Sequence, residues 1–311
     1  MAIKTMFPAS SERPQSQYAI AANIVRRKSG SAKISGSTIA TLKDNFHLKT
    51  WILLGCVLQS ILYFIFPRSY AAFPAIALLA WSFTDALLMH FGLKKDKWYE
   101  GVVDSKFSVA YPGAGESDVV RTKPGENGPG AVMILGARSN SPLGMFADGM
   151  EDIGRYFNAM IKDLEKNREE SGFMGVSSWI SSERSAANEF STFSYWRSVD
   201  DIHRFALGEV HRKAWNWWND TAHNHKNVGI MHEIFAIPEH HGWEGIYINY
   251  HPTGLAATTK VVEGSEKNGQ KLWVNPIVDA RKGQYRTSMG RLNHGDPQGQ
   301  MNDSVAVDPY L

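Results

Sequence analysis

Apolar positions recur along this chain with different periods, and each period predicts a kind of element. Two unbroken apolar runs come first, WILLGCVLQSILYFIF (51–66) and AIALLAWSFTDALLMHFGL (75–93), joined by PRSYAAFP. A bilayer core takes roughly 20 apolar helical residues, so the pair predicts a transmembrane helical hairpin over 47–93, with Asp85 as its one acid. AVMILGARS (131–139) is a short apolar run between turn residues and predicts a buried strand. Ile153, Tyr156, Phe157, Met160, Ile161 and Leu164 then recur at helical spacing, and Gly172 stops the amphipathic helix they predict. FMGVSSWISSE and EFSTFSYWR alternate with period two, as half-buried strands do, and VGIMHEIFAIP (228–238) and WEGIYINYHP (243–252) predict two more.

Between these strands lies YWRSVDDIHRFALGEVHRKAWNWWND (195–220), with two histidines and four tryptophans. On one continuous helix starting near Asp200 and turning about 100° per residue, Ile202, Ala206, Val210, Ala214, Trp217 and Trp218 form an apolar stripe. His203 falls near the middle of that stripe and His211 at its edge. The wheel therefore expects the ring at 203 to point inward and the ring at 211 toward a rim.

Residues 131–238 read in order as strand, helix, strand, strand, helix, strand. That is the split βαβ, or ferredoxin-like, arrangement, an α+β fold with two helices on one face of an antiparallel sheet. The free sheet face makes pairing into a dimeric α/β barrel a natural expectation. The organisation expected is a disordered basic arm (1–46), the hairpin (47–93), a ferredoxin-like domain (98–258) and a polar, loosely ordered tail (259–311).

Charge orients the hairpin. Arg26, Arg27, Lys28, Lys33, Lys43 and Lys49 precede it and KKDK (94–97) follows, whereas the connection holds only Arg68, so both termini are expected in the cytosol. A net charge of +2 gives no reason to expect a nucleic-acid partner. The single cysteine, Cys56, excludes an intramolecular disulfide framework. His223 with His225, and His240 with His241, lack the cysteines or i, i+4 spacing of a metal site, so no metal is expected. PGAGES and GPG lack the lysine and helix of a phosphate loop.

YWRSVDDIHRFALGEVHRKAWNWW, NVGIMHEIFAIP and WEGIYINYHPTGL together resemble the fungal monooxygenases of the antibiotic-biosynthesis-monooxygenase fold, especially their membrane-associated kind. The resemblance covers roughly 98–258. It implies a dimeric α+β barrel and insertion of oxygen from O2 into a lipophilic secondary metabolite such as a terpenoid or polyketide, frequently without metal or flavin. With the hairpin, it implies an enzyme held at the endoplasmic reticulum membrane with a cytosolic catalytic domain. A haem-dependent dehydratase or oxidase on the same fold, with haem held through one histidine, is the alternative chemistry; a non-catalytic membrane-anchored binding protein is the other.

Candidate site residues follow from the stripe and the strands. A histidine of near-neutral pKa can take a proton from an acidic C–H or O–H, which makes His203 the candidate general base, with His211 or His232 assisting. Each also has a purely structural reading, bonded to a backbone carbonyl or lying on the surface. His232 and Glu233 are adjacent on a strand, so only one enters a pocket; a buried Glu233 would need a partner such as Arg197 or Arg212. Tyr195 and Trp196 alternate in the same way. Trp196, Trp215, Trp218 and Tyr247 are candidate walls for a flat apolar ligand, or simply core.

Overall fold

The first apolar run and its successor are helices in the computed structural model, which describes residues 3–12, 36–113, 115, 119–120, 128, 130–182, 189–239, 242–267 and 269–292. Helix α1 (Gly36–Asp44) leads into α2 (Leu48–Ile65), and a single turn, α3 (Arg68–Ala71), reverses the chain into α4 (Phe73–His90), with Pro74 in its first turn. Helices α2 and α4 have 18 residues each, a rise of about 27 Å against a hydrocarbon core of about 30 Å. Both are long and apolar enough to cross a membrane. Their large side chains, Phe64, Leu79 and Trp81 among them, face outward and are exposed. Asp85 pairs with Lys94 and with Lys97, the latter at 3.4 Å, so the basic flank beyond α4 folds back to neutralise the one acid of the hairpin.

Strand β1 (Ile3–Lys4) precedes the hairpin, and β2 (Val103–Val109) and β3 (Val119–Val120) follow it. The alternating segments then give β4 (Gly130–Ser139), α5 (Met150–Lys166), α6 (Arg168–Ser171), β5 (Phe173–Ile180), β6 (Glu189–Trp196), α7 (Val199–Ala206), α8 (Glu209–Thr221) and β7 (Val228–Ile237). These strands form one antiparallel sheet in the order β5-β6-β4-β7. That order is the ferredoxin-like topology. Period two sorts the side chains: Ala131, Met133, Leu135 and Ala137 of β4 share the helix-facing side with Phe190, Thr192, Ser194 and Trp196 of β6 and with Ile230, His232 and Ile234 of β7. Phe157, Ile161 and Leu164 of α5 close on Phe173, Val176, Trp196 and Ile202 to make the core, each large side chain contributing roughly 1.5–3 kcal/mol.

Strand β8 (Ile246–Tyr250), β9 (Lys260–Lys267), β10 (Gln270–Val274) and β11 (Ile277–Asp279) complete the order, ending in a helical turn, α9 (Ser288–Arg291). The expected 98–258 domain therefore resolves into the ferredoxin-like unit and a second sheet, β11-β2-β8, that draws on residues beyond 258. The loosely ordered tail is corrected for 259–292. Val274, Ile277, Val278 and Ala280 there are fully buried, and the short apolar runs LWV and IV were obscured by the polar, Gly-rich segment around them. The disordered arm is corrected where it is described. Ile3 and Lys4 pair with Val120 and Val119, and Thr5 and Ser10 bridge to Val278 and Trp273.

The helix expected over 200–220 is two helices. Leu207 and Gly208 break it: Gly208, extended at ψ 161°, is the N-cap of α8, whose first residue is Glu209. An acid at a helix N-terminus complements the macrodipole. The start of α7 is fixed by an N-cap serine. The Ser198 hydroxyl accepts from Asp201 N–H at 3.1 Å and donates to the Asp201 carboxylate at 2.9 Å. Burial alone would raise the Asp201 carboxyl, but hydrogen bonds from Arg197 and Ser198 and the charges of Arg197 and Arg204 outweigh it and hold it below the usual carboxylate range. Gly172 (φ 73°) makes room for this knot, since a Cβ there would collide with the Asp201 carboxylate. Nearby, buried Arg168 donates to Glu165 (3.2 Å) and to Thr259 (2.8 Å), joining the helical layer to the C-terminal segment.

Candidate active site

Between the sheet and α5, α7 and α8 lies a cavity of about 470 Å³. Its floor comes from the helix-facing strand positions, and its roof from Tyr156, Phe157, Phe205, Trp217 and Trp218. The polar atoms of Trp196, Ser194 and Thr192 are turned to partners in the protein. Trp196 Nε1 donates to Ser194 Oγ at 2.9 Å, while Ser194 and Thr192 hydroxyls donate to the Met133 and Leu135 carbonyls at 3.2 and 3.3 Å. Among the described lining residues there is no Lys, Arg, Asp or Glu, and the imidazoles of His203, His211 and His232 are the titratable groups besides Tyr156.

The structure exchanges the two helix histidines. His203 is exposed and meets the cavity at its mouth, because in α7 it is Ile202, one residue and about 100° away, that is buried at 3%. His211 is the half-buried one, its ring edge-on to Phe205 at 5.9 Å. The break at Gly208 resets the helical phase, which an unbroken wheel carried through. Burial, aided by the neighbouring charge of His232 and opposed by the Ala206 carbonyl, pushes the His211 imidazole below its ordinary pKa. Its Nδ1 is buried and makes no hydrogen bond among the described residues. His211 thus offers a neutral imidazole at neutral pH inside an apolar wall, the state required of a proton acceptor.

His232 faces the cavity from β7, opposite Leu135. Glu233 points to the other face of the sheet and is exposed. The expected buried pairing of Glu233 with Arg197 or Arg212 is therefore corrected: Arg197 holds Asp201, and Arg212 donates to the Leu207 carbonyl. The strand β7 is an edge strand with exposed side chains on both faces, so adjacency to apolar residues did not bring burial.

Trp196 (3% exposed) lines the cavity as part of the core, Trp218 is half-buried in its roof, and Trp215 stands exposed at the mouth. Tyr195 and Tyr247 are not cavity walls. Tyr195 lies on the opposite face of β6, where burial, aided by Tyr247, pushes its hydroxyl up to about 12. Tyr247 stacks on Phe107 in the second sheet at 4.8 Å, and burial raises its hydroxyl as well. Sequence reasoning missed Phe190, Thr192 and Ser194 as floor and Tyr156 as roof, while Trp217 lines the cavity from the expected stripe. The parity of Trp196 along β6 was the signal for the first three. His225 stacks on Trp217 at 5.4 Å and fills space left by Gly149, where a Cβ would come within 2.8 Å. His240 and His241 lie outside the described residues.

A haem held by one of these histidines would bring two carboxylates with it. With no Lys or Arg among the described lining residues to meet those carboxylates, the residues present do not fit that group.

The chain is similar to other proteins in sequence and shape. Monooxygenase af470 of Aspergillus fumigatus is 31% identical over 257 residues, spanning 82% of this chain and 90% of that protein. In shape, SnoaB, a cofactor-independent oxygenase from Streptomyces nogalater, covers 35% of this chain and 91% of its own at 9% identity with a TM-score of 0.23. Aldoxime dehydratase OxdRE in complex with butyraldoxime covers 50% of this chain and 43% of its own at 17% identity with a TM-score of 0.34. At these scores neither shape bears on the chemistry here. The sequence match does, and the Monooxygenase af470-like family matches residues 131–255, the stretch that builds the cavity. With its ferredoxin-like sheet, its apolar cavity and this relative, the chain belongs to the Monooxygenase af470-like family of oxidoreductases.

Proposed function

We propose that the protein is a membrane-anchored, cofactor-independent monooxygenase that inserts oxygen from O2 into a lipophilic secondary-metabolite intermediate, a terpenoid or polyketide. The observation that carries this reading is His211, a neutral imidazole with a buried, unbonded Nδ1 at the wall of an otherwise apolar cavity. The substrate it suits has an acidified methylene or hydroxyl. For a methylene, His211 takes the proton, the substrate carbanion gives an electron to O2, and recombination forms a C–O bond and, after the proton returns, a secondary hydroperoxide. Loss of water from that hydroperoxide leaves a ketone. One methylene and one O2 thus give one carbonyl and one water, with all electrons supplied by the substrate. His232 relays the proton, and the tryptophans exclude water.

Helices α2 and α4 support an anchor, and the basic residues on both flanks support cytosolic termini at the endoplasmic reticulum membrane. Membranes carrying the protein, supplied under ¹⁸O2 with the intermediate that accumulates in a strain lacking it, should give product bearing one ¹⁸O. An unlabelled isomer or dehydration product would overturn oxygenation. Purified active protein should show no Soret band, and a stoichiometric one would favour the haem chemistry.

We also propose a homodimer formed through the outer sheet face, where Met231 and Phe235 of β7 and, on the far edge strand, Trp179 of β5 are exposed. Such a face belongs against a second sheet. Phe235→Glu should convert detergent-solubilised dimer to monomer in sedimentation. Wild-type protein that sediments as a monomer would refute the pairing.

A further inference from the structure

The hairpin does not hang from a free linker. Asn45, which lies between α1 and α2, is buried at 3%, and its Oδ1 accepts from the Met145 N–H at 2.7 Å. Phe46 stacks on Phe146 at 6.3 Å and meets Trp51 edge-on at 5.7 Å. Trp51, in the first turn of α2, donates to the Lys43 carbonyl at 3.0 Å. Aromatic rings and lysines of this kind mark the boundary of a bilayer, and the interfacial layer is only several ångströms thick on each side. A ring 6.3 Å from Phe46 is within about one such thickness of it. Phe146 is nonetheless 62% exposed, and Leu143 beside it 60%. Both sit on the tight helical turn Gly144–Phe146 or immediately before it, ahead of α5.

We infer that this turn is a membrane-docking edge: Leu143 and Phe146 enter the interfacial layer of the bilayer in which α2 and α4 stand, and hold the catalytic unit flat against the lipid. The inference rests on the anchoring reading above and adds a second, independent contact to it. Lipid is the occupant because the turn is locked, through Asn45 and Phe46, to the residues that lead into the first apolar helix. The cavity approaches the lipid at the same place. Phe190 belongs to its wall and also to a crevice lined by Thr41, Asp44, Met145, Met150, Ile180 and Glu189. The crevice and the cavity thus adjoin at Phe190.

The test uses the full chain in vesicles of phosphatidylcholine and phosphatidylserine, with Cys56→Ser removing the native thiol. An environment-sensitive nitrobenzoxadiazole label is placed at Leu143→Cys, Phe146→Cys, Leu54→Cys in mid-α2 and Glu170→Cys beyond the far end of α5, and lipids spin-labelled near the headgroup or deep in the acyl chain serve as quenchers. The docking edge predicts blue-shifted emission and shallow quenching at 143 and 146, deep quenching at 54, and water-like emission at 170. Deep quenching at 54 with water-like emission at 143 and 146 would overturn docking and leave the anchor standing. Water-like emission at 54 as well would overturn both. Loss of quenching in Phe146→Asp labelled at 143, with 54 still quenched, would further support the edge and show that the variant remains folded and inserted.

Discussion

His211→Gln should lower turnover by about 10²–10⁴-fold, the range for loss of a positioned general base, while His203→Ala leaves it little changed. The contrast separates the two helix histidines, because glutamine keeps much of the shape of the imidazole but accepts no proton at neutral pH. The pH profile carries the sign. Burial and the His232 charge favour the neutral ring, so kcat/KM should stay level on the way down through 6.5, the ordinary histidine value, and fall about tenfold per pH unit only below the depressed pKa. His232→Ala removes a charge that disfavours protonation of His211. Its acid limb should move up toward 6.5, with a smaller loss of turnover. Initial rates of ¹⁸O2 incorporation across pH measure all of these. A His203→Ala loss as large as that of His211→Gln would contradict the assignment.

Arg168→Ala should be the most destabilising single change in the ferredoxin-like unit, by about 3–5 kcal/mol, since it strips the guanidinium from a buried carboxylate. Both side chains of the Arg168–Glu165 pair are 1% exposed. The arginine also holds Thr259 and covers the Phe173 ring at 5.6 Å. For a domain of this size the loss corresponds to a fall in melting temperature of roughly 6–20 °C, measured by circular dichroism in detergent. Replacing both members, Arg168→Met with Glu165→Leu, should recover most of it, because the pair's own desolvation cost disappears along with its attraction. A melting temperature within a degree or two of wild type for Arg168→Ala would show that the pair does not hold the C-terminal segment to the helices.

The fold was legible where a period is long and uninterrupted. The strand, helix, strand, strand, helix, strand order of 131–238 was written in alternating and helical spacing, and the sheet order β5-β6-β4-β7 follows from it. The two apolar helices were legible by length alone. The orientation of the histidines was not, because it depended on a two-residue interruption, Leu207 and Gly208, inside an otherwise regular apolar stripe. Glycine followed by glutamate was the available signal, a helix restart with an acid in its first turn. On β6 the alternation of Tyr195 and Trp196 was visible, but which face meets the helices was not, as both parities carry aromatic rings. Residues 272–280 were obscured differently. Six of those nine residues are apolar, but they come as two short runs, LWV and IV, parted by Asn275 and Pro276 in a polar segment, and burial there comes from pairing with β2 and bridging to Thr5 and Ser10, contacts distant in sequence that no local period encodes.

Selective ¹⁵N labelling of histidine, with the resonances of residue 211 assigned by comparison with His211→Gln, gives the protonation state of that ring directly by nuclear magnetic resonance in nanodiscs. A neutral ring at pH 6.5 that titrates only at lower pH, and whose shifts change when an apolar ligand such as N-phenyl-1-naphthylamine fills the cavity, is the result this account predicts. A ring that titrates at or above 6.5 and does not respond to the ligand would contradict it.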